Sequence, residues 1–95
     1  MTTPDSAIRD ALRMYLNANS YHPDKLKRQL TERADDPENV LIRDGLREAI
    51  DNSTIQPTAF EGLTNSLADT QEEVDEWLQS VWAYVFEDGP EPDDE

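Results

Sequence analysis

Apolar residues along this chain recur at helical spacing. Ile8, Ala11, Leu12, Tyr15 and Leu16 fall at i, i+3, i+4, i+7 and i+8, so one face of a helix is apolar. Thr3 stands where a capping side chain belongs, and Pro4 suits the first helical position because its missing N–H would lack a partner there anyway. Asn17-Ala18-Asn19-Ser20 disfavours continuation, so the first helix should end at residues 17 to 19.

Pro23 followed by Asp24 opens a second, short and polar helix with Leu26, Leu30 and Ala34 to bury. Asp36-Pro37 is a cap and first-position pair for a third, in which Val40, Leu41, Leu46, Ala49 and Ile50 are expected to face inward. Gly45 inside that helix costs about 1 kcal/mol relative to alanine, and close packing by a neighbour would explain it.

Residues 51 to 56 read as a loop. Thr58-Ala59-Phe60-Glu61 then has capping-box spacing for a short fourth helix carrying Phe60, Leu63 and Leu67. Thr70-Gln71-Glu72-Glu73 repeats the spacing and begins the strongest segment, in which Val74, Trp77, Leu78, Val81, Trp82, Val85 and Phe86 form an apolar face.

Pro90 and Pro92 among acids mark a disordered tail. Strand-like alternation and internal repeats are not evident. The pattern predicts an all-α chain: a compact bundle of four to five short helices in one domain, residues 1–87, followed by an acidic disordered tail, residues 88–95.

Composition narrows what such a bundle can do. At 95 residues and 36% hydrophobic content the chain can build one modest core, and a large buried cleft is not expected. There is no cysteine, so stability must come from packing without disulfides or thiolate metal sites. The first residues lack a basic start followed by an apolar run, and no segment approaches the roughly 20 apolar residues of a membrane span. A cytoplasmic protein is the expectation.

Charge changes the picture most. The formal net charge is −14, which would repel nucleic acid and anionic lipid and suits a basic protein as partner. All 8 basic residues precede Glu48 and are balanced there by acids; from Glu48 onward the chain has only acids. Unbalanced charge opposes compaction, so its confinement to the second half points to a use there.

Chemistry has few footholds. His22 is the only histidine and stands beside Pro23 at a helix start, where a capping or surface role is expected. Glu72, Glu73, Asp75 and Glu76 are the densest carboxylate group, yet there is no twelve-residue calcium loop and no Glu-x-x-His pattern, while acids in a first helical turn complement the macrodipole. Neither an enzyme nor a cofactor protein is expected.

On a helical wheel Val74, Leu78, Val81 and Val85 centre the last apolar face. Trp82 and Phe86 lie on one border, Trp77 and Tyr84 on the other. Beside the second border are Glu73, Glu76 and Ser80. Aromatic anchors next to carboxylates suit a cationic surface, although the commoner use of such residues as Trp77 and Tyr84 is to complete the core. The candidate protein-binding set is Asp69, Glu72, Glu73, Glu76, Trp77, Ser80, Tyr84, Glu87 and Asp88.

With Leu12-Arg13-Met14-Tyr15-Leu16-Asn17 in an early helix, Leu41 and Leu46 in a helical middle, and Glu76-Trp77-Leu78 in the last helix, the chain resembles the small acidic immunity proteins that bacteria make against their own nuclease toxins. The helical immunity proteins of contact-dependent inhibition systems are the nearest type. It departs from them where Asn17-Ala18-Asn19 replaces an aromatic-acid pair, and it lacks the adjacent tyrosines of immunity proteins to DNase bacteriocins. No functional residue is therefore carried over by position. The resemblance implies a mode: a rigid acidic surface that blocks a toxin domain at its active site or a neighbouring exosite.

Two other readings fit the same composition. A phage-encoded mimic of nucleic acid would occupy a phosphate-binding channel of a host defence complex, and a structural or regulatory domain of a salt-loving organism would be acidic for solubility. Salt adaptation should affect the whole surface, and here the first half is neutral.

Overall fold

A computed structural model describes residues 3–66 and 68–90. Among them five helices form an all-α bundle: α1 (Pro4–Tyr15), α2 (Pro23–Glu32), α3 (Pro37–Asn52), α4 (Pro57–Thr64) and α5 (Gln71–Phe86). The first four each begin with proline, whose fixed φ is already helical. Thr3 Oγ1 accepts from the Ser6 N–H and Asp36 Oδ1 from the Glu38 N–H, which satisfies donors that a helix start leaves open.

Several expectations need correction. The first helix stops at Tyr15, earlier than the spacing suggests, because Leu16–Asn17 (β1) and Ser20–Tyr21 (β2) pair antiparallel, Leu16 with Tyr21 and Asn17 with Ser20. The pairing is confined to these few residues, and the described fold is all-α as expected. Asn17 accepts the Asn19 N–H through its own side chain, a local bond that competes with helix continuation. Its Nδ2 also donates to Leu63 O, and the Ala18 N–H donates to Thr64 O, so the tight turn is fastened to α4.

In the middle of the chain, α3 runs through Asn52 and ends only where Ser53 turns left-handed (φ 51°). The fourth helix starts at Pro57, with Gln56 at the cap and no side-chain cap bond. Thr58 therefore lies inside it and forms no capping box: proline's preference for the first position overrides the Thr-x-x-Glu spacing. Leu67 is outside the described residues. Ala34, read as a buried position at the end of α2, is exposed.

The inward face of α3 is also rotated from the one expected. Asn39, Ile42, Gly45, Leu46 and Ala49 are buried, whereas Val40, Leu41 and Ile50 are only partly so. The cause is α1, which packs against α3 more extensively than any other pair of elements. Close approach requires Gly45 to face inward, and the bulkier Leu41 and Ile50 move to the flanks.

Around this pair the core gathers Ile8, Leu12 and Leu16 with Leu26, Leu46, Phe60, Leu78 and Val81, all nearly or wholly excluded from solvent. Ile55, in the loop before α4, is fully buried as well. Each such side chain contributes about 1.5–3 kcal/mol relative to an exposed one. The expected centre of the last helix (Val74, Leu78, Val81, Val85) is buried throughout.

Polar groups lock two helix crossings and the α3–α4 loop. Tyr15 Oη donates to Gln29 Oε1, Gln29 Nε2 donates to Asn39 Oδ1, and the buried Asn39 amide donates to the Gln29 and Arg33 carbonyls at the end of α2. Arg9 Nη2 reaches from α1 to Thr54 O. Asp75 accepts from Ser53 Oγ and from Gln71 Nε2, and the latter also donates to Ile55 O, so this carboxylate braces the α3–α4 loop.

The last helix does not give way to a free tail at Asp88. Asp88 is left-handed (φ 54°), and the Gly89 N–H donates to Ala83 O, which folds residues 88–89 back on the helix end. The remainder of the expected tail, residues 91–95, lies outside the described residues. Among the described residues no helix is long and apolar enough to cross a membrane.

Candidate protein-binding surface

The proposed binding residues lie on and beside α5, and the fold divides them into three groups. At the start of the helix Asp69, Glu72, Glu73 and Glu76 are all exposed. Thr70 Oγ1 accepts the Glu73 N–H (3.2 Å), as a cap should, and Glu73 Oε2 reaches back to accept the Asp69 N–H (2.8 Å). Glu73 is thus part of the helix start. Glu72 and Glu76, one turn apart, carry no ion pair among the described residues, and neither does Asp69.

A second group is half-buried. Trp77 packs edge-on against Phe60, with ring centroids 5.1 Å apart and planes at 73°. This arrangement suits the positive edge of one ring and the negative face of the other. Ser80 Oγ donates to the Trp77 carbonyl one turn back, which occupies its hydroxyl proton. Trp77 serves the α4–α5 packing, Ser80 bonds within α5, and both are half-buried.

The third group sits at the other end. Lys27 Nζ from α2 lies 4.8 Å from the centroid of the Tyr84 ring and 3.3 Å from Asp88 Oδ1. One ammonium therefore covers the tyrosine face and neutralises part of the acidic end. In sequence the cations lie in the neutral first half, apart from the acidic second half. The α2–α5 packing brings them together here. Glu87 is exposed on the side away from this contact, where it lines a groove between α3 and α5.

That groove lies along the α5 border opposite the proposed edge. Trp82 and Phe86 pack against each other at 4.4 Å between centroids, and the Arg47 guanidinium of α3 stands over the Trp82 ring at 5.4 Å. Arg47 Nε in turn donates to Asp51 Oδ2 at 3.1 Å. The Arg47 and Asp51 spacing of four residues is visible in the sequence as a helical ion pair. Nothing in the sequence alone says that it faces an indole from another helix.

His22 is exposed at the cap of α2, and its imidazole makes no cap bond; its carbonyl accepts the Lys25 N–H. Among the described residues no group of three or more His, Cys, Asp or Glu is arranged to hold a metal ion. Asp75, which the sequence places in the carboxylate cluster, turns inward to Ser53 and Gln71 and leaves the exposed group. What the surface offers chemically is charge and aromatic faces for noncovalent contact. Comparison with protein families, curated proteins and solved structures finds no match to this chain.

Proposed function

We propose that this protein binds a basic partner protein stoichiometrically through the acidic start of α5, in the manner of an immunity protein that neutralises a cognate bacterial nuclease toxin. The observation that carries the reading is the uncompensated charge of Asp69, Glu72 and Glu76: all three are exposed, and no cation of the described chain pairs with them. Glu72 and Glu76 stand on the first turns of a helix whose opposite face is buried, and Asp69 lies just before its cap. A fixed negative patch of this kind speeds encounter with a positive surface, up to about 10⁸–10⁹ M⁻¹s⁻¹ at low salt.

The resemblance to acidic helical immunity proteins supplies the toxin class of partner, and the absence of cysteine accords with work in the cytoplasm. Trp77 supplies a half-buried aromatic contact beside the carboxylates. Tyr84 and Asp88 contribute less, since Lys27 already occupies both.

Copurification with a basic domain encoded by the neighbouring gene, followed by association kinetics over a salt series, tests the proposal. Glu72→Lys together with Glu76→Lys should slow association about tenfold or more at low salt while costing no more than about 1 kcal/mol of stability, the dipole contribution of Glu72. An association rate indifferent to both salt and charge reversal would sink it.

A further inference from the structure

The groove between α3 and α5 already holds one guanidinium. Arg47 stands over the Trp82 ring and is steadied by Asp51, with Glu87 on the same groove wall. Both ends of this ion pair are about half exposed, 56% for the Arg47 side chain and 50% for Asp51. An exposed pair of this kind is worth little and exchanges readily with solvent or with a competing cation. Trp82, by contrast, is held in place from behind by Phe86.

From this arrangement we infer that the Trp82 groove is a docking site for an arginine side chain of the basic partner, and that Arg47 is its intramolecular placeholder. The inference rests on the reading of the protein as a binder of basic proteins, and it adds a chemical preference that the acidic start of α5 does not have. Carboxylates alone attract lysine and arginine alike. An indole face flanked by Asp51 and Glu87 favours arginine, because a planar guanidinium can stack on the ring while its edge donates to a carboxylate, and a compact ammonium cannot do both. The groove is negative once Arg47 swings out, which completes the complementarity.

The test uses the whole protein and two labelled probes, acetylated hexa-arginine and hexalysine amides, with fluorescence anisotropy at low salt. Hexa-arginine should bind tighter by roughly two- to fivefold, the range expected of an exposed cation–π contact. Arg47→Ala should widen that ratio by vacating the site. Arg43→Ala removes an equal charge from the same helix, where Arg43 pairs only with its neighbour Asp44, and should leave the ratio unchanged. Trp82→Leu should abolish the preference. Trp82→Phe keeps an aromatic ring in place and should reduce it, with circular dichroism confirming the helical fold of both.

A ratio near one, or a preference that survives Trp82→Leu, would overturn the groove while leaving the acidic-face reading intact. A ratio narrowed by Arg47→Ala would overturn the placeholder role, since Arg47 would then assist binding. Failure of both peptides to bind at low salt would overturn the groove and the acidic-face reading together.

Discussion

The carbonyl oxygen of Pro4 occupies the space that a Cβ on Gly45 would need. Ile8 Cγ2 borders the same spot, so α1 lies on α3 through a contact that only glycine allows. The intrinsic helix cost of that glycine is offset by the most extensive helix contact of the bundle.

Gly45→Ala should therefore destabilise the protein although alanine is the better helix former. Backbone must move to admit the methyl group, at a cost of about 1–3 kcal/mol. Gly62 is the matched control: it lies in α4 with nothing near its absent Cβ, and Gly62→Ala should stabilise by about 0.5–1 kcal/mol. Urea unfolding of the two variants checks both signs. Equal effects would refute the close-contact account.

Asn39 is 3% exposed and bonds the end of α2 to the start of α3. Asn39→Ala would remove the side-chain donor to the Gln29 and Arg33 carbonyls, which keep the Arg33 and Asp36 N–H groups, and would leave the Gln29 amide without its acceptor. The expected loss is about 1–3 kcal/mol, read by denaturant melts. Amide hydrogen exchange should show α2 loosening before α3.

The start of α5 contains two kinds of acid that look alike in sequence. Thr70→Ala should cost about 1 kcal/mol, and Glu73→Lys should also destabilise, because both remove capping bonds and the latter opposes the helix dipole. Reversal of Glu76 should leave thermal stability nearly unchanged, and reversal of Glu72, which shares the first turn but makes no capping bond, should cost only the dipole contribution of about 0.3–1 kcal/mol. Thermal melts of the four variants decide whether Glu73 is structural, and they identify Glu72 and Glu76 as the cleaner probes of binding.

Lys27 and Tyr84 should be energetically coupled. A double-mutant cycle with Lys27→Ala and Tyr84→Leu is expected to return about 0.5–1 kcal/mol of interaction at low salt. The ion pair with Asp88 should add little, since that carboxylate is 94% exposed. A coupling energy near zero would mean that the ammonium merely rests above the ring.

Helix number and most helix starts were legible in the residue pattern. Thr3-Pro4, Asp36-Pro37 and Thr70 act within one turn, where side-chain bonds and proline's ring set the backbone without help from distant residues. The apolar stripe of α5 was legible for the same reason: its spacing is a property of the helix itself. Likewise the confinement of uncompensated acid to the second half follows from composition, and it pointed to the surface of Asp69, Glu72 and Glu76.

The packing partners needed the folded chain. Which side of α3 faces inward depends on the Pro4 approach to Gly45, a contact between residues forty-one positions apart. Asp75 and Glu73 are indistinguishable from Glu72 and Glu76 by residue type, and only the neighbouring loop and helix cap consume them. Lys27 belongs to the neutral half in sequence but to the Tyr84 surface in space, and Arg47 meets Trp82 only because α3 lies beside α5. Periodicity and capping are local, so the chain's order contains them. Charge pairing, ring stacking and close approach depend on distance through space, and tertiary packing alone decides that.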